Sequence, residues 1–132
     1  MGIEENKRAV MAYLKSMGSG VLEPGVLAPD VKWWLPRFGA MSMAELGQIG
    51  EKVRAKLTTG VEMTVDHVTA EGDRVSVEAR GHAATTDGGA YDNVYHFLFF
   101  LRDGQIVEIH EHGDSAYAQR VFGFNPTEHL ER

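Results

Sequence analysis

The 132-residue sequence contains no cysteine, which excludes disulfide staples, thiolate nucleophiles and thiolate metal ligands. It has no apolar run near the roughly 20 residues that a membrane-spanning helix needs, so no membrane partner is expected. Clusters of Lys and Arg are also missing, and the formal net charge is −6. An electrostatic footprint for a polyphosphate is therefore lacking, and nucleic acid is not an expected partner. The stretch "MGIEENKRAV" lacks the basic-then-apolar layout of a secretory signal. Together with the missing cysteine, this sets the expectation of a cytoplasmic protein. No repeat, low-complexity block or interdomain linker interrupts the chain. Its length suits one domain over residues 1–132, with an ordered core at about 3–124 and a tail at 125–132.

What is present is regular patterning. Ile3, Val10, Met11, Leu14 and Met17 recur at helical spacing, which predicts an amphipathic helix over 3–17 that "GSG" ends. "VLEPGVLAPD" reads as a short helical turn or loop, and "VKWWLP" as a strand stopped by Pro36. Ser42 and Glu45 match a capping box, and Leu46, Ile49, Val53 and Leu57 follow on a helix. Four strands come next: "VEMTVDHV", "VSVEARGHA", "YDNVYHFLFFL" and "QIVEIHEH", joined by short Gly- and Asp-containing turns. The third is the longest and most apolar, so a central place covered on both faces is expected. Asp114 is a natural N-cap for a terminal helix. This order predicts an α+β fold, a cone-shaped curved antiparallel β-sheet wrapped around N-terminal helices.

"WWLP" (33–36), "VTAEGDRVSVEA" (68–79), "GGAYDNVYHFLFFLRDGQIVEIHEHGD" (88–114) and the following "SAYAQRVFG" carry a family resemblance. The chain resembles the nuclear transport factor 2-like superfamily with its cystatin-like cone, in the SnoaL-like, ketosteroid-isomerase-related branch. The resemblance implies one deep, mostly apolar pocket for a small hydrophobic or cyclic molecule, and a homodimer formed through the sheet. It is specific for the fold and not for the reaction. The superfamily hosts isomerases, cyclases, epoxide hydrolases, dehydratases and non-enzymatic binders.

The stretch "EIHEHGD" suggests a metal site at first sight. On a strand, however, His110 and His112 share one face and Glu111 takes the other. A zinc site also needs a third protein ligand, for which His129 in the tail is poorly placed. Neither a metal nor another cofactor is expected. Glu111 shares its face with Val107 and Ile109, so partial desolvation would raise its pKa into the range of a general acid or base.

On the long strand, Asn93, Tyr95, Phe97 and Phe99 share one face, and Val94, His96, Leu98 and Phe100 the other. Tyr91, Asn93 and Tyr95 offer directed hydrogen-bond groups, which favours their face as the pocket side. Glu78, Arg80 and His82 form a polar row on the neighbouring strand, and His82 is a candidate proton carrier. Trp33 and Trp34 lie on opposite faces, and Trp34 is assigned to the pocket.

The resemblance adds roles residue by residue. Tyr13 matches the first-helix tyrosine that donates to the oxyanion in ketosteroid isomerases. Their strand acid maps to Tyr95 or His96. Their base, an Asp before a Pro, falls on Leu35, which cannot carry a proton, so steroid isomerisation by that base is not expected. The Arg-x-Asp of epoxide hydrolases corresponds to Arg80-x-His82.

The expectation is thus an enzyme acting by cofactor-independent proton transfer, of isomerase, polyketide cyclase, dehydratase or epoxide hydrolase type. Glu111 is its acid or base and His82 or His96 the partner. Tyr13, Trp34, Glu78, Asn93 and Tyr95 contact the substrate. A non-catalytic ligand-binding or accessory protein is the alternative, and a structural dimer module a third possibility.

Overall fold

Helix α1 (Ile3–Ser19) forms where the apolar period predicts it, burying Val10, Tyr13 and Leu14. Gly20 ends it in the left-handed region at φ 75°, its N–H donating to the Ser16 carbonyl at 2.8 Å. The computed structural model that shows this describes residues 2–36 and 38–125. Residues 126–132 of the expected tail, His129 among them, lie outside it.

Residues 20–26 form a turn and loop, as one of the two expected alternatives, and β1 (Leu27–Leu35) takes up the rest of the stretch, with a register irregularity between Leu27 and Lys32 that accommodates Pro29. β2 (Gly39–Met41) folds back on β1; three residues are too few to show a period in the sequence. The Ser42–Glu45 capping box is formed, with the Ser42 hydroxyl accepting from the Glu45 N–H at 3.2 Å and the Ser42 N–H donating to Glu45 Oε1 at 3.0 Å. It opens α2 (Met43–Arg54).

β3 (Glu62–Glu71), β4 (Arg74–Ala84), β5 (Ala90–Arg102) and β6 (Gln105–Gly113) form the expected antiparallel meander. Asp114 caps α3 (Ser115–Phe122), its carboxylate accepting from the Tyr117 N–H at 3.0 Å. The sheet order is β2-β1-β6-β5-β4-β3. One pairing departs from the expectation of an all-antiparallel sheet: β1 lies parallel to β6, with Trp33 beside Ile109. A chain that reaches β1 from a helix is under no hairpin constraint on its direction.

The inner face of this curved sheet holds the core. Val75, Val77, Phe97, Phe99, Ile106 and Ile109 are all fully buried, and α1 covers them with Val10, Tyr13 and Leu14. A smaller cluster of Ala83, Tyr91 and Phe122 joins α3 to the sheet. β5 is covered on one face only within the chain: Val94 on its other face is 61% exposed, and Leu98 and Phe100 are half-buried. Among the described residues no helix is long and apolar enough to cross a membrane.

The position of α1 over the sheet depends on Gly60. A Cβ there would meet the Gly18 carbonyl oxygen at 2.2 Å and the Met17 oxygen at 2.8 Å, both backbone atoms that cannot rotate away. Next to it the Val61 N–H donates to the Met17 carbonyl at 2.9 Å. Gly60→Ala should therefore destabilise the fold by about 1–3 kcal/mol, the range for overpacking, read as a lowered denaturant midpoint.

Candidate functional site

The bulge in β6 decides which carboxylate looks inward. Phe100 pairs with Glu108 but Leu101 pairs with Ile106, so Val107 is the extra residue. Ile106 and Ile109 both point into the core, while Val107 lines a groove on the outside with Phe100 and Glu108. The expectation that Val107 shares a face with Glu111 is corrected by this bulge. Glu111 itself sits inward, paired with Phe97.

No group among the described residues hydrogen-bonds the Glu111 carboxyl. The residue keeps partial exposure, yet its surroundings strip enough water from the carboxyl to push its pKa up to about 7. Its charge is felt by Tyr13, Tyr91 and Tyr95. All three phenols titrate above their ordinary range, chiefly because they are buried and secondarily, for Tyr13, because Glu111 is near.

Tyr13 comes from α1, and its ring lies edge-on to Phe99 at 5.8 Å. Its oxygen accepts from Trp33 Nε1 at 3.0 Å, which leaves its own proton available. Trp33 is thus the inward tryptophan, 3% exposed. The assignment of Trp34 to the pocket is corrected: its ring lies on the outer face against His110 at 5.0 Å and His112 at 5.4 Å.

Tyr95 lies flat along the inner face, stacked on Phe97 at 5.5 Å. Two glycines make room for it. A Cβ on Gly81 would come within 2.9 Å of its ring, and one on Gly113 within 3.3 Å. Its hydroxyl is 2.6 Å from that of Tyr91, which accepts from Asn93 Nδ2 at 2.8 Å. Asn93 is buried and its amide is fully engaged, with Nδ2 also donating to the Asp114 carbonyl and Oδ1 accepting from the Val94 and Asp114 N–H groups. It holds the site together and has no bond left for a ligand, contrary to the expected substrate contact.

The remaining candidates face the other way. Strand alternation places Glu78, His82 and His96 on the outer side of the sheet, exposed. His82 pairs with Asp92, His96 with the Ser76 hydroxyl at 2.7 Å, and Arg80 makes two 3.0 Å bonds to Asp66. The expected partnership of Glu111 with His82 or His96 is therefore corrected by geometry: the sheet lies between them. The same holds for Glu78 as an inward contact and for Arg80-x-His82 as an inward epoxide-hydrolase pair.

Two cavities stand out, and both open on the outer face. The larger, about 610 Å³, is lined by Glu78, Arg80, Val94, Tyr95, His96 and His112 among others. The smaller, about 310 Å³, lies by Asp30, Lys32, Phe100 and Glu108. Neither is lined by Glu111, Tyr13 or Trp33. Among the described residues no group of three or more His, Asp or Glu is placed to hold a metal ion.

The family model of the SnoaL-like domain matches residues 10–109, most of the chain and nearly all of the cone. The chain belongs to the SnoaL-like domain family. Solved structures agree with this SnoaL-like fold. A candidate SnoaL-like polyketide cyclase from Jannaschia sp. CCS1 superposes with a TM-score of 0.72 at 23% identity, over 92% of this chain and 94% of that one. TerC, co-crystallised with polyporic acid, gives 0.75 at 18% identity, covering 90% and 98%. IdmH, a candidate polyketide cyclase from Streptomyces antibioticus, gives 0.74 at 18% identity, covering 89% and 98%. At these identities the likeness is one of fold. No curated protein matches the chain.

Within the SnoaL-like frame, the two glycines that seat Tyr95 are the residues that sequence reasoning passed over, and Trp33 is the one it set aside for Trp34. A signal existed for the glycines, since Gly inside a strand marks a close approach.

Proposed function

We propose that this SnoaL-like protein is a cofactor-independent enzyme that moves a proton on a small hydrophobic or cyclic carbonyl compound, as an isomerase, polyketide cyclase or dehydratase does. The observation that carries the reading is Glu111, an inward carboxyl with no hydrogen-bond partner among the described residues and a pKa near 7. Such a group is present in both protonation states at neutral pH, the condition for efficient general acid–base work. As a carboxylate it takes the proton from the carbon beside the carbonyl. Negative charge then develops on the carbonyl oxygen, where phenolic hydroxyls such as those of Tyr13 and Tyr95 stabilise it. Returning the proton at another position completes an isomerisation. Transferring the electron pair to a second carbonyl carbon closes a ring. The partial exposure of Glu111 and Tyr95 supports access of a ligand to both groups. TerC's polyporic acid and the polyketide-cyclase descriptions of two neighbours support a small-molecule ligand.

The test is solvent-deuterium incorporation into cyclic ketones such as cyclohexanone, followed by NMR. Exchange faster than in buffer is expected. A second reading, a binder without chemistry, is favoured by Phe97 and Phe99 filling the inner face at full burial. It is selected if ligands bind at one per chain and none exchanges faster than in buffer.

The cysteine-free sequence fits the proposal of a cytoplasmic location. The open face of the sheet supports a homodimer. Trp34, Leu98 and Phe100 on it are apolar or aromatic and only half-buried, Val94 is exposed, and acids and bases are mixed around them. Light scattering should give twice the 14.6 kDa chain mass. Leu98→Asp at the middle of that face should give a monomer.

A further inference from the structure

Asn93 is 5% exposed and pinned at both ends of its amide. Its Oδ1 meets two backbone N–H groups, of Val94 at 2.8 Å and Asp114 at 3.3 Å, which can only donate. Its Nδ2 meets the Asp114 carbonyl at 3.2 Å, which can only accept. The amide therefore has one orientation, and the Tyr91 oxygen must accept from it at 2.8 Å. The Tyr91 ring is held between Tyr117 at 5.6 Å and Phe122 at 4.8 Å. Its hydroxyl has one further neighbour among the described residues, the Tyr95 hydroxyl at 2.6 Å.

Two arrangements of the hydroxyl protons are open. If Tyr95 donated to Tyr91, the Tyr91 proton would be left without an acceptor at a residue only 4% exposed. A buried donor left unpaired costs about 1–3 kcal/mol. If Tyr91 donates to Tyr95, every buried proton has a partner. The one left over belongs to Tyr95, which keeps partial exposure and lies diagonal to Glu111, since Tyr95 pairs with Gly113 and Phe97 with Glu111.

We infer that Asn93 and Tyr91 are positioning residues that fix a one-way row of donors, from Asn93 to Tyr91 to Tyr95, and so hold the Tyr95 proton ready for a carbonyl or enol oxygen beside Glu111. The inference rests on the reading of the inner face around Glu111 as a proton-transfer site. It gives α3 a part in the chemistry as well. Asp114 caps that helix with its side chain while its backbone N–H and carbonyl hold Asn93, so the docking of α3 and the direction of the row depend on one residue.

The test is a ¹³C-carboxyl NMR titration of Glu111 in wild type, Tyr95→Phe, Tyr91→Phe and the double variant, with near-UV circular dichroism to establish folding. A donor on that side favours the carboxylate, so Tyr95→Phe should raise the Glu111 midpoint by about 0.5 unit. Tyr91→Phe keeps the stacked ring and should raise it by part of that amount. The double variant should shift no further than Tyr95→Phe alone, because Tyr91 acts through Tyr95. A silent Tyr91→Phe, or shifts that add, would overturn the inference. Asn93→Ala leaves all three rings and makes the same comparison if Tyr91→Phe does not fold. Failure of the proton-transfer reading shows elsewhere, as deuterium exchange unchanged in Glu111→Gln, and leaves these midpoints as they are.

Discussion

Glu111→Gln should lower proton-transfer turnover by about 10²- to 10⁴-fold, the range a positioned general acid or base contributes, while ligand affinity stays within a few-fold of wild type. The substitution keeps the shape of the side chain and removes the titration. Because the carboxyl has no hydrogen-bond partner among the described residues, no framework contact is broken by the change. A loss confined to the chemical step appears in kcat and in kcat/KM alike, with substrate binding preserved. The measurement is the deuterium-exchange rate with a cyclic ketone at saturating and at low concentration. The activity should also rise with pH through a midpoint near 7, where Glu111 becomes the carboxylate that accepts the proton.

A second large effect concerns stability. Glu111 has an ordinary value of 4.5 and a folded value of about 7. Below pH 4.5 the group is protonated in both the folded and the unfolded chain and contributes nothing to the difference. Between the two values the unfolded chain releases its proton while the folded chain retains it, so stability falls as pH rises. Above pH 7 the carboxylate is forced into its desolvated position at a cost of about 3 kcal/mol. Urea unfolding from pH 4 to 8 should show that decline in the wild type. Glu111→Gln should flatten the Glu111 contribution and be the more stable protein at pH 8. The difference between the two proteins isolates Glu111 from the exposed Asp66 and Asp87, whose values are lowered by the Arg80 bond and by the Thr85 hydroxyl respectively. A wild type less stable than its own Glu111→Gln variant is the mark expected of a functional group held against its solvation preference.

Much of the fold is legible in the sequence because its signals are local. The period of α1, the Ser42–Glu45 box, the Asp114 cap and the meander turns each depend on residues a few positions apart. The site is less legible because it depends on which side of a strand is inside. A period of two says that Trp33 and Trp34 part company, and that His82 keeps company with Glu78 and Arg80. It does not say which set meets the core, and choosing wrongly reverses every assignment on the strand. On β5 the polar set Tyr91, Asn93 and Tyr95 lies on the core side with Phe97 and Phe99, where its members bond to one another. On β4 the polar row turned out to be the solvated one. Val107 needed a further fact, the bulge, which follows from pairing with β5 and not from its own neighbours. The parallel pairing of β1 with β6 is similarly non-local, joining Trp33 to Ile109 across most of the chain.

The claim on which the account turns is that Glu111 is a desolvated carboxyl poised at neutral pH. A ¹³C-carboxyl NMR titration of the wild-type protein measures that without needing a substrate. The account predicts a Glu111 midpoint near 7, and a midpoint near the ordinary 4.5 would contradict it.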